Sequence, residues 1–449
     1  MALLVDEQTG AFAGLMTDGD VRRALLAGMG LESSVEGIQR KSPFVAKAGT
    51  PLSEIAGMFS EKVRVVPLLD DQGKVADLAI LDRRMRLPVA EPTLGERELE
   101  YVTECILTGW ISSAGRFVVC FEEQFAAFCQ TRFGVATSNG TTALHLALLA
   151  LDIGPGDEVI VPSLSFIATA NAVAYTGAKP VFVDIEADTW NMDPGAIEAA
   201  ITPRTKALLP VHLYGHPANM DPILDIARRH NLYVVEDAAE AHGALYKGRP
   251  VGGLSDIAVF SFYGNKIVTT GEGGMVVTNN EQLAERVRVL RDHGMSKDRR
   301  YWHPVLGYNY RMTNLQAAVG VAQMEKVERI LEAKARVSAT YDALLKDIPG
   351  ITCPPRTEWA SPVCWLYTLL VDESTFGKSR DTFMQVLQQH NVESRPVFPP
   401  MHKQPLYDAG ITLPVTERVS DQGVSLPSAV SLTTTDIERI VGVIRAMRE

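Results

Sequence analysis

Three segments of the chain carry side chains whose types and positions could do chemistry together. Residues 138–142, Ser-Asn-Gly-Thr-Thr, join a predicted strand to a predicted helix, where N–H groups and hydroxyls can bind phosphate. Asp237 ends a second apolar run, where a carboxylate can keep a ring nitrogen protonated. Lys266 follows a third run, and partial burial there would lower its pKa and make its amine nucleophilic.

Each segment alone also has an ordinary interpretation: a helix N-cap, a surface acid and a solvated loop lysine. Their order is more informative, because all three follow predicted strands and Lys266 comes 29 residues after Asp237. Pyridoxal phosphate (PLP) needs a phosphate site, an anion beside its pyridine nitrogen and a lysine amine for its Schiff base. The sequence therefore predicts a PLP site. The run Gly271–Gly274 precedes a strand, so it is not a dinucleotide-binding fingerprint.

The predicted elements would bring these segments to one edge of a sheet. Strands rich in Val and Ile alternate with helices, which predicts a largely parallel sheet covered on both faces, with ligands beyond its carboxyl edge. The predicted strands are Phe133–Thr137, Glu158–Pro162, Pro180–Asp184, Ala207–Leu213, Tyr233–Glu236, Ile257–Phe262 and Met275–Thr278. The predicted helices are Ala143–Leu151, Ala168–Thr176, Asp193–Ala200, Met220–His230, Gln282–Asp292 and Asn314–Leu345.

We expect three domains: a small module at 1–86, a large α/β domain at 87–345 and a smaller α+β lobe at 346–449. The basic run 83–86 is followed by Pro88 and Pro92, which favour a linker. Within the small module, the predicted elements are strands at Ala2–Val5, Val63–Leu69 and Leu78–Leu81, and helices at Asp20–Met29 and Leu52–Ser60.

The composition argues against several classes of protein. A formal charge of −11 disfavours non-specific nucleic-acid binding and docking on anionic membranes. No segment approaches the roughly 18 apolar residues of a membrane span, and the N-terminus lacks the pattern of a signal peptide. The five cysteines form no CxxC pair, so we expect reduced thiols and a cytoplasmic location.

Six collinear segments form recognisable motifs. They are GWISSAGRFV (109–118), SNGTTALHLALLAL (138–151), VHLYGHPANM (211–220), EDAAEAHGA (236–244), FSFYGNK with TTGEGGMVVT (260–278) and YWHPVLGYNYRMTN (301–314). On these motifs, residues 88–449 resemble the sugar aminotransferases of the DegT/DnrJ/EryC1/StrS family, which have the fold type I architecture. Within the family, the chain is most similar to the enzymes that form GDP-perosamine.

The resemblance implies roles for the matching residues around the cofactor ring. Lys266 would bind the PLP aldehyde and then move a proton between the amino-acid α-carbon and the cofactor. Asp237 would pair with the pyridine nitrogen, Glu240 would lie near the oxygen edge of the ring, and Phe166 would stack on its face. The pattern departs from relatives at Ile267 and at His242, where relatives carry Thr and Phe, but neither change removes a group that the mechanism needs.

The resemblance also implies a shared phosphate site. Gly140, Thr141 and Ser261 would hold the phosphate, while Asn314 would reach the phosphate of the neighbouring subunit's cofactor. The active unit would then be a homodimer.

Several other side chains are candidates for substrate binding. His212 and His216 are spaced like a metal pair, but we predict no metal site because a strand end and a turn replace the helix that such a pair requires. The resemblance favours a substrate role for His212, and the further candidates are Tyr310, Arg311, His303 and His402. Solvated or structural histidines, or a packed aromatic segment, remain equal alternatives.

Residues 14–23, GLMTDGDVRR, resemble the end of a CBS (cystathionine β-synthase-type) motif, in which Thr17 and Asp20 would reach a ribose. A degenerate second copy would span Val65–Leu69, a DDQG turn and Leu78–Arg83. The first copy lacks its opening strand and helix. We therefore favour a module that packs or aids assembly over one that binds an adenine nucleotide.

The function implied is transamination of a nucleotide-linked 4-keto-6-deoxy sugar with L-glutamate as the donor. GDP-4-keto-6-deoxymannose, giving GDP-perosamine, is the expected substrate. The alternative substrate is a UDP- or GDP-linked 4-keto-6-deoxy-N-acetylhexosamine. A hypothesis of another class is a catalytically idle, nucleotide-sensing regulator. It predicts loss of Lys266, Asp237 or the phosphate segment, and all three are present.

Overall fold

A computed structural model describes residues 2–6, 8–30, 33–35, 38, 43–51, 54–55, 58–59, 63, 65–80, 87–408 and 410–448. The chain forms two compact units, Met1–Arg86 and Leu87–Glu449. The basic run 83–86, the last residue of the predicted strand Leu78–Leu81 and the end of the second CBS-like copy at 82–83 lie outside the described residues, as does most of the predicted helix Leu52–Ser60.

The first unit contains two small sheets among its described residues. Strands β1 (Ala2–Val5) and β2 (Phe12–Met16) pair antiparallel, and helix α1 (Asp18–Leu26) follows. In the second sheet, β3 (Ala46–Lys47) runs parallel to β4 (Val65–Leu69), which pairs antiparallel with β5 (Val75–Ile80). Ala46, Ile55 and Val66 form a small apolar core.

The second unit is built around a larger sheet, flanked by helices. Its strands are β6 (Phe133–Thr137), β7 (Glu158–Pro162), β8 (Lys179–Val183), β9 (Thr205–Leu208), β10 (Tyr233–Asp237), β13 (Ile257–Ser261) and β14 (Gly274–Thr278). The short strands β11 (Leu245–Tyr246) and β12 (Arg249–Pro250) pair with β16 (Ala360–Ser361) outside that sheet. The helices up to the end of this domain are α2 (Glu96–Thr108), α3 (Arg116–Phe128), α4 (Gly140–Ala150), α5 (Ala168–Tyr175), α6 (Pro194–Ala200), α7 (Met220–His230), α8 (Glu281–Arg291), α9 (Asn314–Met324) and α10 (Val327–Leu345).

Within the described part of the second unit, the sheet order is β6-β14-β13-β10-β9-β7-β8. Neighbouring strands pair parallel except at β14, which is antiparallel to both β13 and β6. The predicted mostly parallel sheet is therefore confirmed. It is covered on both faces, since apolar residues of β10 and β13 alternate between two separate core clusters.

Local chemistry explains where some elements depart from their predicted bounds. Helix α4 begins three residues early because Asn139 and Thr142 form a capping box around its first turn. Strand β9 ends at Leu208, shortly before Pro210, which has no N–H to donate to the sheet. The predicted helix Asn314–Leu345 is divided into α9 and α10 at Lys326, whose backbone φ of −123° and ψ of 12° lie outside the α-helical range.

The C-terminal part forms a small lobe. An antiparallel sheet of order β15-β17-β19-β18 contains β15 (Ile351–Thr352), β17 (Tyr367–Val371), β19 (Gly423–Leu426) and β18 (Arg395–Pro396). Its helices are α11 (Glu373–Phe376), α12 (Arg380–Gln389), α13 (Pro414–Gln422) and α14 (Thr434–Ala446). Leu87 and the C-terminal half of α10 pack into the core of this lobe. Across the described residues, no helix is both long and apolar enough to cross a membrane.

The layer beneath β13 contains a buried histidine. His242 is fully buried among the rings of Phe125, Phe260 and Phe262, with ring centroids 5.4–6.0 Å away. This burial lowers the pKa of His242 from 6.5 to about 3. The folded chain therefore keeps the ring neutral at pH values where the unfolded chain protonates it.

We predict that His242→Phe weakens the loss of stability in acid. A depressed folded pKa gives stability that is present above the unfolded pKa and is lost as the pH falls below it. Below pH 6.5, the free energy of unfolding of the parent should fall more steeply than that of the variant, by up to about 1.4 kcal/mol for each pH unit. Urea unfolding at pH 7.5, 6.5 and 5.5 measures this difference, with the exposed His303→Phe as control. Equal slopes for the parent and His242→Phe would contradict the prediction.

Candidate active site

A cavity of about 740 Å³ lies beyond the carboxyl ends of β6, β7, β10 and β13, and residues of the small lobe complete its wall. Most of the predicted cofactor residues line it: Gly140, Thr141, Phe166, Asp237, Glu240, Ser261 and Lys266. The sheet order therefore brings together side chains that are far apart in the sequence. A more open groove of about 1030 Å³ between α4 and α8 is lined by other residues.

The N-terminus of α4 forms one corner of the cavity. Asn139 caps the helix, since its Oδ1 accepts a 2.9 Å hydrogen bond from the N–H of Thr142. Among the described residues, the N–H groups of Gly140 and Thr141 have no hydrogen-bond acceptor, which leaves two donors at the positive end of the helix dipole. A Cβ on Gly140 would lie 2.7 Å from the Cβ of Ser261, so glycine permits this close approach. The corner has the donors and the narrow shape that a phosphate needs.

Asp237 ends β10 at the floor of the cavity and is 4% exposed. Its Oδ2 accepts a 2.8 Å hydrogen bond from the Thr169 hydroxyl, and its Oδ1 accepts one of 3.2 Å from the N–H of Ala239. Burial raises the pKa of the Asp237 carboxyl. A protonated ring nitrogen beside it would favour the ionised carboxylate again, because opposite charges stabilise each other.

Lys266 lies in the loop after β13, with its Nζ 3.5 Å from Oε1 of Glu240. Both side chains are almost fully buried. Burial lowers the pKa of the Lys266 amine and raises the pKa of the Glu240 carboxyl. The N–H of Tyr214 donates a 2.8 Å hydrogen bond to the other oxygen of Glu240. A buried amine of lowered pKa suits both nucleophilic attack and proton transfer.

Phe166 is 54% exposed and lines the cavity, so one side of its ring is open to a flat ligand. The ring of Phe398 lies beside it, with the two ring centroids 5.8 Å apart and an interplanar angle of 57°. A large exposed ring at the mouth of a cavity is suited to stacking.

The residues that line the cavity without having been predicted as site residues include Thr169, Tyr214, Trp365 and Arg395. Thr169 follows Phe166 by three residues. Since residues three apart lie on the same face of a helix, this spacing could have indicated that both side chains face one site. Trp365 and Arg395 belong to the small lobe, so no local pattern connects them with Lys266. Tyr214 has a φ of 51°, which the motif HLYGH does not reveal.

His212 and His402 are not among the residues that line the cavity, and their predicted substrate roles stay predictions. Both rings are buried and bonded on each side. Nδ1 of His212 accepts a 3.0 Å hydrogen bond from the N–H of Ala218, and its Nε2 lies 3.1 Å from Glu236. His402 lies between Ser163, at 2.7 Å, and Glu417, at 3.2 Å. For His212, a position after a strand did not show that the ring turns into the protein, and no local pattern showed it for His402, which lies in the short helix Met401–Lys403.

Tyr310, Arg311 and His303 also lie outside the set of residues that line the cavity. The ring of Tyr310 stacks on Tyr308 with centroids 4.9 Å apart, which fits the alternative of a packed aromatic segment. Arg311 forms an ion pair of 2.8 Å with Asp292. His303 is exposed, and its Nδ1 lies 2.9 Å from the carbonyl oxygen of His293.

Asn314 is 1% exposed at the start of α9 and does not line the cavity. Its Nδ2 donates to the carbonyl oxygen of Trp110 at 2.7 Å and to Sγ of Cys105 at 3.2 Å. Its Oδ1 accepts a 3.0 Å hydrogen bond from the N–H of Phe117. In this geometry, both amide hydrogens are used within the chain. For Asn314 to bind a phosphate across a subunit boundary, at least one of these two hydrogen bonds would have to break.

Among the described residues, no group of His, Cys, Asp and Glu side chains is arranged to hold a metal ion. His216 instead contacts the carbonyl oxygen of Pro217 at 2.8 Å, and burial lowers its pKa to about 4.

Comparison with known proteins agrees with this geometry. Residues 92–445 match the model of the DegT/DnrJ/EryC1/StrS aminotransferase family. A GDP-perosamine synthase of Caulobacter vibrioides is 52% identical over 79% of this chain and 96% of that protein. A second one, of Escherichia coli O157:H7, is 42% identical over 81% of this chain and 98% of that protein.

Solved structures of aminotransferases share the fold. DesV of S. venezuelae, in complex with a ketimine intermediate, is 39% identical, with a TM-score of 0.74 over 78% of this chain and 94% of that one. DesI, solved in the presence of its TDP-sugar product, is 35% identical, with a TM-score of 0.77 over 81% of this chain and 93% of that one. The chain thus belongs to the DegT/DnrJ/EryC1/StrS aminotransferase family and is a PLP-dependent aminotransferase.

Proposed function

We propose that the enzyme transfers the amino group of L-glutamate to C4 of GDP-4-keto-6-deoxymannose and forms GDP-perosamine. The observation that carries the reaction type is the buried amine of Lys266, which lies beside Glu240 in a cavity with a phosphate-binding corner. The similarity to GDP-perosamine synthases supports the choice of sugar. The runner-up substrate is a UDP- or GDP-linked 4-keto-6-deoxy-N-acetylhexosamine.

The cavity residues fit PLP. The N–H groups of Gly140 and Thr141, which have no acceptor in the described part of the chain, would hold the phosphate together with the hydroxyl of Ser261. The carboxylate of Asp237 would hold the proton of the ring nitrogen, and Thr169 would orient that carboxylate. Phe166 would cover the open face of the ring.

Bound in this cavity, PLP supplies an electrophilic carbonyl carbon and a ring that withdraws electrons from the reacting carbon. The chain's own residues position and move protons. Nζ of Lys266 would take the proton from the amino-acid α-carbon and deliver it to the C4′ carbon of the cofactor. Glu240 would hold the Lys266 amine close to this position, and the buried surroundings would exclude water from it.

Arg395 is the candidate for contact with an anionic substrate. It lines the cavity from the small lobe, and its side chain is 43% exposed. Its ion-pair partner, Glu393, lies 3.4 Å away. Both a glutamate carboxylate and a nucleotide diphosphate match a guanidinium in charge and geometry.

We also propose a homodimer with shared active sites. Leu99 and Ile106 of α2 are 70% and 63% exposed, and they lie two turns apart on one face of the helix. Leu107 and Trp110 nearby are 81% and 58% exposed. A large exposed apolar surface of this kind favours burial against a partner, and a second copy of the chain is the simplest one.

For the first unit, we propose a degenerate CBS-like module that packs or aids assembly. Its candidate ribose ligands are engaged with each other, because Oδ2 of Asp20 accepts hydrogen bonds from the N–H and the hydroxyl of Thr17 at 2.8 and 2.7 Å. Oδ1 of Asp20 pairs with Arg23. An adenine nucleotide would have to displace this capping box.

We predict that incubation with PLP, L-glutamate and GDP-4-keto-6-deoxymannose replaces the ketone oxygen of the sugar by an amine. Mass spectrometry of the product measures this change. The enzyme should also be yellow and should bleach when L-glutamate is added. Lys266→Ala should lose both the colour change and turnover, whereas the exposed Lys346→Ala should keep both.

An unchanged sugar from an enzyme that still bleaches with L-glutamate would reject GDP-perosamine and direct the search to the N-acetylated sugars. Turnover by Lys266→Ala would contradict the role of the lysine.

We predict that Gly140→Ala weakens the binding of PLP. The added Cβ would lie 2.7 Å from the Cβ of Ser261 and would force the phosphate corner apart. Titration of the protein with PLP, followed by absorbance, should show at least roughly tenfold weaker binding, about 1.4 kcal/mol. Gly442→Ala, with no atom within 4 Å of its new Cβ, is the matched control. Equal affinity in both variants would show that the corner does not hold the phosphate.

We predict that Ile106→Asp dissociates the dimer, because it places a charge on the exposed apolar face of α2. Sedimentation velocity at micromolar concentration should show a dimer for the parent and a monomer for the variant. Leu406→Asp, at a residue 72% exposed in the small lobe, should remain dimeric. A parent that sediments as a monomer would reject the proposal.

A further inference from the structure

The amine of Lys266 lies against an aromatic face that the mechanism above does not use. Its Nζ is 3.6 Å from the centroid of the Trp365 ring. The carboxylate of Glu240 is 3.5 Å from the same atom. The lysine side chain is 11% exposed, so water solvates little of the amine.

Trp365 is held firmly in this position. Its indole N–H donates a 2.8 Å hydrogen bond to the carbonyl oxygen of Asn265, the residue before Lys266. Its ring lies nearly parallel to that of Tyr214, with centroids 6.1 Å apart and an interplanar angle of 16°. Its own carbonyl oxygen accepts a 2.8 Å hydrogen bond from the amine of Lys334.

Lys334 is a buried anchor for this arrangement. Besides Trp365, its amine donates a 2.6 Å hydrogen bond to the carbonyl oxygen of Ser428. Burial lowers the pKa of Lys334 to about 8. A buried amine that bonds two backbone carbonyls joins α10 to two separate segments of the small lobe, and it fixes the backbone that presents the indole ring.

The surroundings of Lys266 combine two attractive groups with a low-dielectric cavity. An aromatic face attracts an ammonium through its quadrupole, and desolvation strengthens the effect. The charged and titratable groups that act on the amine are Glu240, Asp237 and His242. The two carboxylates favour the charged amine and burial opposes it, while His242 is kept neutral by its own burial and adds no charge beside the amine.

We propose that the indole face of Trp365 and the carboxylate of Glu240 form a binding position for the free ammonium of Lys266. This position holds the amine of Lys266 whenever that amine has no covalent bond to the cofactor. It keeps the released amine inside the cavity, where it remains available for proton transfer and for renewed bonding. Trp365 is therefore a positioning residue, and its role does not depend on which sugar the enzyme uses.

The test measures the acidity of the Lys266 amine in the full-length protein freed of cofactor. Trace labelling with acetic anhydride across a range of pH, read by mass spectrometry of the Lys266 peptide, gives a profile with a midpoint and a plateau. The midpoint reports how well the ammonium is stabilised, and the plateau reports how accessible the amine is. Trp365→Leu removes the aromatic face, and Trp365→Phe keeps part of it.

Loss of the indole should shift the midpoint to lower pH, because the ammonium loses a stabilising contact. At a fixed pH on the rising part of the profile, Lys266 of Trp365→Leu should react roughly threefold to thirtyfold faster relative to its own plateau. The midpoint of Trp365→Phe should lie between those of the parent and Trp365→Leu. Glu240→Gln should also shift the midpoint to lower pH. Trp359→Leu is the matched control, since that ring packs on His216 and Tyr246 away from the cavity.

Several outcomes would overturn the proposal. A raised plateau with an unchanged midpoint would mean that Trp365 only shields the amine from the reagent. A midpoint that moves to higher pH would mean that the indole disfavours the ammonium. Circular dichroism checks that each variant is folded. If Trp365→Leu does not fold, the midpoint measured for Trp365→Phe decides between the proposal and these alternatives. Because no sugar or cofactor is present, failure here is distinct from failure of the proposed reaction.

Discussion

The burial of Asp237, Glu240 and Lys266 in one cavity is the constraint on which the rest of the structure depends. Each charge would be costly away from water unless the others and several hydrogen bonds compensated it. That compensation requires β10 and β13 to end side by side, and the parallel pairing of Asp237 with Val259 provides this alignment. The order of the strands is therefore part of the chemistry.

The packing beneath the sheet holds these strand ends in place. Phe125 of α3 contacts the rings of Phe260 and Phe262 with centroids 4.9 Å apart, on the strand and loop that lead to Lys266. On the other side of the cavity, Tyr214 stacks on Phe398 at an angle of 8°. Aromatic layers thus fix the backbone on both sides of the reactive amine.

Much of this arrangement could be predicted from the sequence, because its parts follow local rules. Asp237 and Lys266 come directly after apolar runs, and parallel sheets gather such positions at one edge. Trp365 could not be found this way, since its position depends on the packing of the small lobe. His212 also lies shortly after a strand, yet Glu236 and the N–H of Ala218 bind its ring inside the protein. Whether a strand-end side chain enters the cavity or the core depends on tertiary contacts that spacing does not encode.

The anchoring by Lys334 has a consequence for the order in which the chain matures during synthesis. The amine of Lys334 bonds the carbonyl oxygens of Trp365 and Ser428, which lie far apart in the sequence. A nascent chain that has emerged only as far as β14 already contains Asp237, Lys266 and the phosphate corner, but it lacks Lys334 and both of the carbonyl groups that its amine bonds. The cover over Lys266 can therefore be completed only near the end of translation, after most of the small lobe has left the ribosome.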